Sequence, residues 1–257
     1  MLFRGETDHG LKAAKYRSAD RGFQIFYKIK NETKSRFMNE TLKDSVAAVL
    51  DPKIPFVHYC EIDLSSSNKD LESVNVASSQ DWENYIDAYL LERNMQVAYG
   101  GYLEKRNIYN RSDYFNNSDV DRNIHLGVDF WAPEKTSVHA VLDGTIHSFQ
   151  NNDNFGDYGP TIILEHEFDG ETFYSLYGHL SLKSLESITL GQKIGAGDQI
   201  GWLGDASVNG DYAPHLHFQL ILNLEGKKGD YPGVCSSEKM NWYAENCPNP
   251  LELFDLK

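Results

Sequence analysis

The sequence predicts an α+β protein: a mixed α/β N-terminal region, residues 1–118, followed by a mainly antiparallel β domain, residues 119–257. Three observations predict this. Apolar residues recur at helical spacing in two stretches of the first part. The polar run Asn116 to Asp121, rich in Asn, Asp and Ser, reads as a connecting loop. From Ile124 onward, short β-rich runs alternate with Gly, Asp and Asn turn signals.

Taken in order, FQIFYKI (Phe23 to Ile29) reads as a strand by its bulky and β-branched content. Glu40 to Leu50 and Asp81 to Arg93 read as helices. In the second, Trp82, Tyr85, Ile86, Tyr89 and Leu90 fall at i, i+3, i+4, i+7 and i+8, a stripe for core packing, with Ser79 upstream as N-cap. The later runs VHAVLDGTIHSF, TIILEHEF, ETFYSLYGHL, QIGWLG and HLHFQLIL read as strands of a small antiparallel sheet or partly closed barrel. Gly191, Gly195, Gly197, Gly201 and Gly204 read as turn residues. The G-x-G-x-x-G phosphate-loop spacing fails because Ile200 sits at its third glycine position, and no Walker lysine follows.

Composition narrows the function classes. A chain of 257 residues, against about 150 per domain, fits one large domain or two unequal ones. With 40% hydrophobic residues, a mean hydropathy of −0.51 and no apolar run near the length of a membrane span, it reads as globular. Lys and Arg total 24 and Asp and Glu 38, a net charge of −14, which argues against nucleic-acid and anionic-membrane partners. The start MLFRGETDHG has no signal-peptide h-region, so a cytoplasmic location is expected, with export as the alternative where a leader has been removed. Cys60, Cys235 and Cys247 show no C-x-x-C spacing and read as reduced structural thiols; pairing of Cys235 with Cys247 is reserved for an exported chain.

Three groups among the nine histidines have a spacing that chemistry requires. In HLGVD, His125 and Asp129 point the same way on an extended segment, and Gly127 between them lets the backbone bend toward one ion. In HLHF, His215 and His217 project from one face of a strand while Leu216 and Phe218 enter the other. His179 stands beside a glycine in YGHL, at the end of a strand-like run. A catalytic zinc takes three protein ligands and leaves a fourth position open. His125, Asp129 and one histidine of HLHF supply that count, and the other, with His179, is left as general base or oxyanion donor.

The remaining histidines read as structural. His166 falls on the Leu164 side of ILEHEF, and His139 and His147 flank an expected hairpin turn at Asp143-Gly144. His9 and His58 have no partner at ligand spacing, and His166-Glu167 lacks the second histidine of H-E-x-x-H.

IHLGVDFWAP, VHAVLDGTI, LYGHL, GQKIGAGDQIGWLG and APHLHFQL, in that order, resemble the successive motifs of the lysostaphin-type, or LytM-like, zinc metallopeptidases. The resemblance covers about half the chain. It implies a compact antiparallel β fold with one Zn2+ per chain in a groove across the sheet, and cleavage of peptidoglycan cross-bridges or stem peptides. By motif position it makes His125, Asp129 and His217 the zinc ligands and His179 and His215 the catalytic pair, all five filled here. Tyr177, two before His179, is expected on the same face as a supporting residue. The expected protein is thus a zinc-dependent metalloendopeptidase acting on a peptide or peptidoglycan-derived substrate, with its oligomeric state left open.

Departures from the family pattern are visible too. Glu134-Lys135 stands where a glycine is common, and Gly159-Pro160 replaces the usual Gly-Asn. The tail Gly226 to Pro248, with YPGV, Trp242 and two cysteines, is expected to wall the groove. The lead-in GGYLEKRNIYNRSDYF, together with this tail, is similar to LytM-like domains of intracellular multi-enzyme proteins. That keeps two alternatives open: a metallohydrolase of a small amino-acid-derived substrate, and a non-catalytic regulator. Arg106 and Arg111 read as a solvated charged face, with contact to a substrate carboxylate as the other reading.

Overall fold

An eight-stranded sheet organises the described chain. The computed structural model describes residues 40–43, 45–108 and 122–256, which fall in the compact unit Glu40–Lys257. The strand expected at Phe23–Ile29, the loop at Asn116–Asp121, His9 and Arg111 lie outside the described residues.

The strands are β1 (Tyr59–Glu61), β2 (Val97–Gly100), β3 (Ile124–His125), β4 (Val128–Trp131), β5 (Ser137–His139), β6 (Gly144–Asn152), β7 (Gly159–Phe168), β8 (Glu171–Gly178), β9 (Lys193–Ile194), β10 (Gln199–Trp202), β11 (His215–Ile221) and β12 (Val234–Cys235). The main sheet runs β1-β2-β4-β11-β8-β7-β6-β9, and β10-β5 and β12-β3 form two small pairs. Among these pairs only β1 and β2 run parallel. The mainly antiparallel β expectation therefore holds, and each β-rich run of the sequence supplies a strand.

Turn chemistry differs from expectation at one hairpin. Asp143-Gly144 does not close one, because β5 pairs with β10 while β6 pairs with β7 and β9. The two-residue turn is Asp169-Gly170 between β7 and β8, where φ is 51° and 79°. Two consecutive positive φ values match the right-handed strand twist, and Asp-Gly accepts them at little cost.

The longer helix, α1 (Ser79–Arg93), buries Trp82, Ile86 and Leu90 as the stripe requires. Its cap is Ser78, which accepts from the Asp81 amide at 3.1 Å; Ser79 instead donates to Asp211. Of the helix expected over Glu40 to Leu50, only Glu40–Lys43 forms. Beyond it the Ala47 amide donates to Val141, Val49 accepts from the His139 amide, and Leu50 bridges Val138. Pairing along β5 satisfies those backbone groups and buries Val49 and Leu50 completely, which outweighs local helical periodicity.

The change of texture at 118/119 does not divide the sheet. β2 lies beside β4, and one core cluster joins Trp82, Ile86 and Ala98 to Trp131, Tyr212 and Val234. The three cysteines are thiols. No helix among the described residues is long and apolar enough to cross a membrane.

Candidate metal centre

β4 and β11 lie side by side in antiparallel register, with Asp129 opposite His217 and Trp131 opposite His215. Because strand side chains alternate, these four share one face, while Phe130, Leu216 and Phe218 fill the core behind. β3 brings His125 over the same face. The turn between β3 and β4 passes so close to His217 that a Cβ at Gly127 would lie 2.7 Å from its ring. That close approach explains the glycine between the two expected ligands.

His125, Asp129 and His217 converge in a buried triangle. Asp129 Oδ1 is 3.2 Å from His125 Nε2 and 3.2 Å from His217 Nδ1, and the two nitrogens are 2.8 Å apart. In a tetrahedral site with metal–ligand bonds of 2.0–2.1 Å the ligands stand about 3.3 Å apart; the two distances to Asp129 match that spacing, and the two nitrogens stand closer.

Hydrogen bonding tells why this triangle is able to hold a cation. The Gly101 carbonyl, 2.9 Å from His125 Nδ1, can only accept, so that nitrogen carries the proton and Nε2 is bare. Gln219 donates through Nε2 to the Pro232 carbonyl and Cys247 Sγ, which leaves its Oε1 to accept from His217 Nε2 at 2.9 Å. His217 Nδ1 is therefore bare too. Two lone pairs and a carboxylate oxygen face one another out of water, an arrangement that repels itself unless a positive ion sits among them.

The other two histidines follow the same rule. His179 donates from Nδ1 to the Asn209 carbonyl at 2.8 Å, and His215 donates from Nδ1 to the Ala213 carbonyl at 2.7 Å. Each keeps a proton-free Nε2; that of His215 stands 3.9 Å from Asp129 Oδ1. Their rings lie 4.2 Å apart, and the Trp131 indole stacks on His215 at 18° between planes.

Electrostatics keep the His125, His179 and His215 rings neutral. Burial lowers His125 to about 4, helped by Arg106 and His217 against the pull of Asp129. Burial also holds His215 below its ordinary value and His179 far below, the latter reinforced by His215 and His217. For Asp129 burial alone would raise the pKa, but His125, Arg106 and His215 together hold it well below the carboxylate range.

Two expectations change. Tyr177 does not share the face of His179: it stands opposite Phe218 in the register, and its hydroxyl accepts from the Val141 amide at 3.1 Å. The alternation breaks because β8 ends at Gly178 and His179 adopts a φ of 62°, which turns its ring into the groove. Arg106 is not a solvated charge. It is 4% exposed and donates from Nη1 to Asp129 Oδ2 at 2.5 Å.

The groove over this face holds about 270 Å³. Tyr231 to Val234, the YPGV of the tail, form one wall as expected, whereas Trp242 and the two cysteines do not line it. Its lining carries both signs of charge, Asp157 and Asp230 with Arg122 and Lys227. Gln219, beside His217, escaped the sequence reading, and Arg106 was named there without its pairing to Asp129. Gln219 had a usable signal, since it stands two after His217 on the same strand face; the pairing of Arg106 with Asp129, 23 residues on, had none.

Residues 123–229 match Peptidase family M23, and all five histidine and aspartate positions fall inside the match. Endolysin 2638A of Staphylococcus phage 2638A is 29% identical over 164 residues, 60% of this chain and 32% of its own length. Peptidoglycan DD-endopeptidase ShyC of Vibrio cholerae is 30% identical over 100 residues, 38% of this chain and 20% of its own. Lysostaphin of Staphylococcus staphylolyticus is 33% identical over 104 residues, 40% of this chain and 20% of its own. The chain spans less than a third of the length of these relatives.

Proposed function

With a Peptidase family M23 domain over residues 123–229, we propose that this protein is a zinc-dependent peptide hydrolase acting on peptides of, or derived from, peptidoglycan. One Zn2+ per chain would be held by His125, Asp129 and His217. The observation that carries the reading is the convergence of three proton-free ligand atoms in a buried triangle at the floor of a groove. The names of the relatives support the substrate class: one is called a peptidoglycan DD-endopeptidase and another an endolysin.

A zinc ion bound there supplies the Lewis acidity that polarises an amide carbonyl and acidifies water. The chain's own residues do the rest. Neutral His179 and His215, with Nε2 free, accept the water proton and return it to the leaving amine nitrogen. Their Nδ1–H bonds to the Asn209 and Ala213 carbonyls hold the rings in that tautomer and stabilise them once protonated. The Trp131 indole keeps the His215 ring in one plane. The lining suits a zwitterionic peptide, with an amine toward Asp230 and a carboxylate toward Arg122 and Lys227.

The test pairs zinc content of the full chain with product release from purified peptidoglycan and from short peptides. The reading expects about one zinc per chain and cleavage that stops when the metal is chelated. His215→Ala and His179→Ala should each retain zinc and lose about 10²- to 10⁴-fold in kcat. Full turnover by the chelated protein, or by His215→Ala, would sink it.

A further inference from the structure

We propose that residues 101–106, which precede the family-matched stretch, are part of the metal centre, and that Arg106 is the residue that positions the Asp129 carboxylate. The inference rests on the zinc reading above. Arg106 is a buried cation held between two carboxylates, with Nε on Glu104 Oε2 and Nη1 on Asp129 Oδ2, each at 2.5 Å. Glu104 is anchored in turn, since its Oε1 accepts from the Leu64 amide at 3.0 Å. With Oδ2 engaged by the guanidinium, Asp129 turns Oδ1 toward His125 and His217, at 3.2 Å from each. The fork makes the aspartate a one-oxygen ligand aimed along a fixed direction.

The same six residues also hold His125. The Gly101 carbonyl takes its Nδ1 proton, the Glu104 carbonyl accepts from its amide and the Leu103 amide donates to its carbonyl. Two of the three converging side chains are thus set by a segment outside residues 123–229. Space for this is reserved at Gly101, where φ is +101° and a Cβ would lie 2.0 Å from Arg106 Nη2 and 2.9 Å from His125 Nδ1. The guanidinium carbon also lies 5.3 Å from the ring of Trp131, the indole stacked on His215, so one cation braces a ligand and touches the support of a catalytic ring.

Partners that orient metal ligands are worth about 10- to 100-fold in metal affinity. The experiment measures zinc affinity by chelator competition, and melting of the zinc-free protein, for full-length wild type, Arg106→Met and Arg106→Lys. Arg106→Met should bind zinc about 10- to 100-fold more weakly at temperatures where it remains folded. Arg106→Lys, which keeps the charge but cannot fork between Glu104 and Asp129, should show a smaller loss. Zinc affinity in Arg106→Met that is unchanged or tighter, with only the melting temperature lowered, overturns the proposal and leaves Arg106 a structural ion-pair partner. Should Arg106→Met fail to fold, Arg106→Lys decides alone: weaker zinc with unaltered zinc-free melting supports the proposal, and wild-type affinity overturns it. A wild-type chain that binds no zinc fails the functional reading and this one together. A wild type that binds and cleaves while Arg106 variants bind equally well fails this one alone.

Discussion

His217 and His166 are both buried on inner strands of the same sheet, yet only one joins the group able to hold a metal. Around His166 every polar demand is met: Nδ1 donates to the Asp143 carbonyl at 2.7 Å, and Nε2 accepts from the Ser175 hydroxyl at 2.6 Å. Phe173 packs against its ring. His217 has one nitrogen equally well served, by Gln219, while the other faces a bare nitrogen of His125 and an oxygen of Asp129. His166 ends with its hydrogen bonds closed; His217 ends with a lone pair held against other lone pairs, as a metal ligand requires. Burial does not separate them, since both are 2% exposed.

The largest effect that would sharpen this contrast comes from removing the exposed lone pair. His217→Ala should lose the bound zinc entirely and with it all turnover, read by metal mass spectrometry and peptide release, whereas His166→Gln should keep a full complement of zinc. Comparable zinc content in the two variants would break the comparison.

A smaller effect is expected one shell out. Gln219→Leu removes the acceptor that keeps the proton on His217 Nε2, so zinc affinity should fall about 10- to 100-fold while the melting of the zinc-free protein changes little. Undiminished affinity would show that the tautomer is held by something other than Gln219.

The smallest effect concerns the closed histidine and leaves zinc untouched. Burial lowers His166 to about 4 from an ordinary 6.5. Between those values the unfolded chain takes up a proton that the folded chain refuses, so stability falls as pH drops from 6.5 toward 4 and levels off below. The full penalty is on the order of 3 kcal/mol. Denaturant titrations across that range should show His166→Gln less acid-sensitive than wild type by up to that amount; parallel slopes would remove His166 as a source of acid lability.

Much of the site was legible because it is written in strand periodicity. His215 and His217 alternate with Leu216 and Phe218, and the structure keeps that alternation, polar toward the groove and apolar toward the core. The H-x-x-x-D spacing with Gly127 inside it likewise survives as a tight approach to one point. Tyr177 shows where periodicity fails: a positive φ at His179 turns that residue's own ring off the face that two-residue alternation assigns to it. The segment after Lys43 shows another limit. Its apolar spacing suits a helix, but an open edge on β5 offered backbone partners, and pairing with it buried Val49 and Leu50.

By itself the sequence determined which residues converge, because side chains two apart on a strand, or four apart around a glycine, are constrained by local geometry. Tertiary structure decided their chemical state. Which nitrogen of each histidine keeps its proton depends on Gly101, Asn209, Ala213 and Gln219, and the aim of Asp129 depends on Arg106, a guanidinium delivered from another strand connection. All but two of these partners, Ala213 and Gln219, come from distant parts of the chain, and no periodicity in either segment announces such a pairing. Only folding, by excluding water from the face of β4 and β11, makes each of those hydrogen bonds strong enough to set a tautomer.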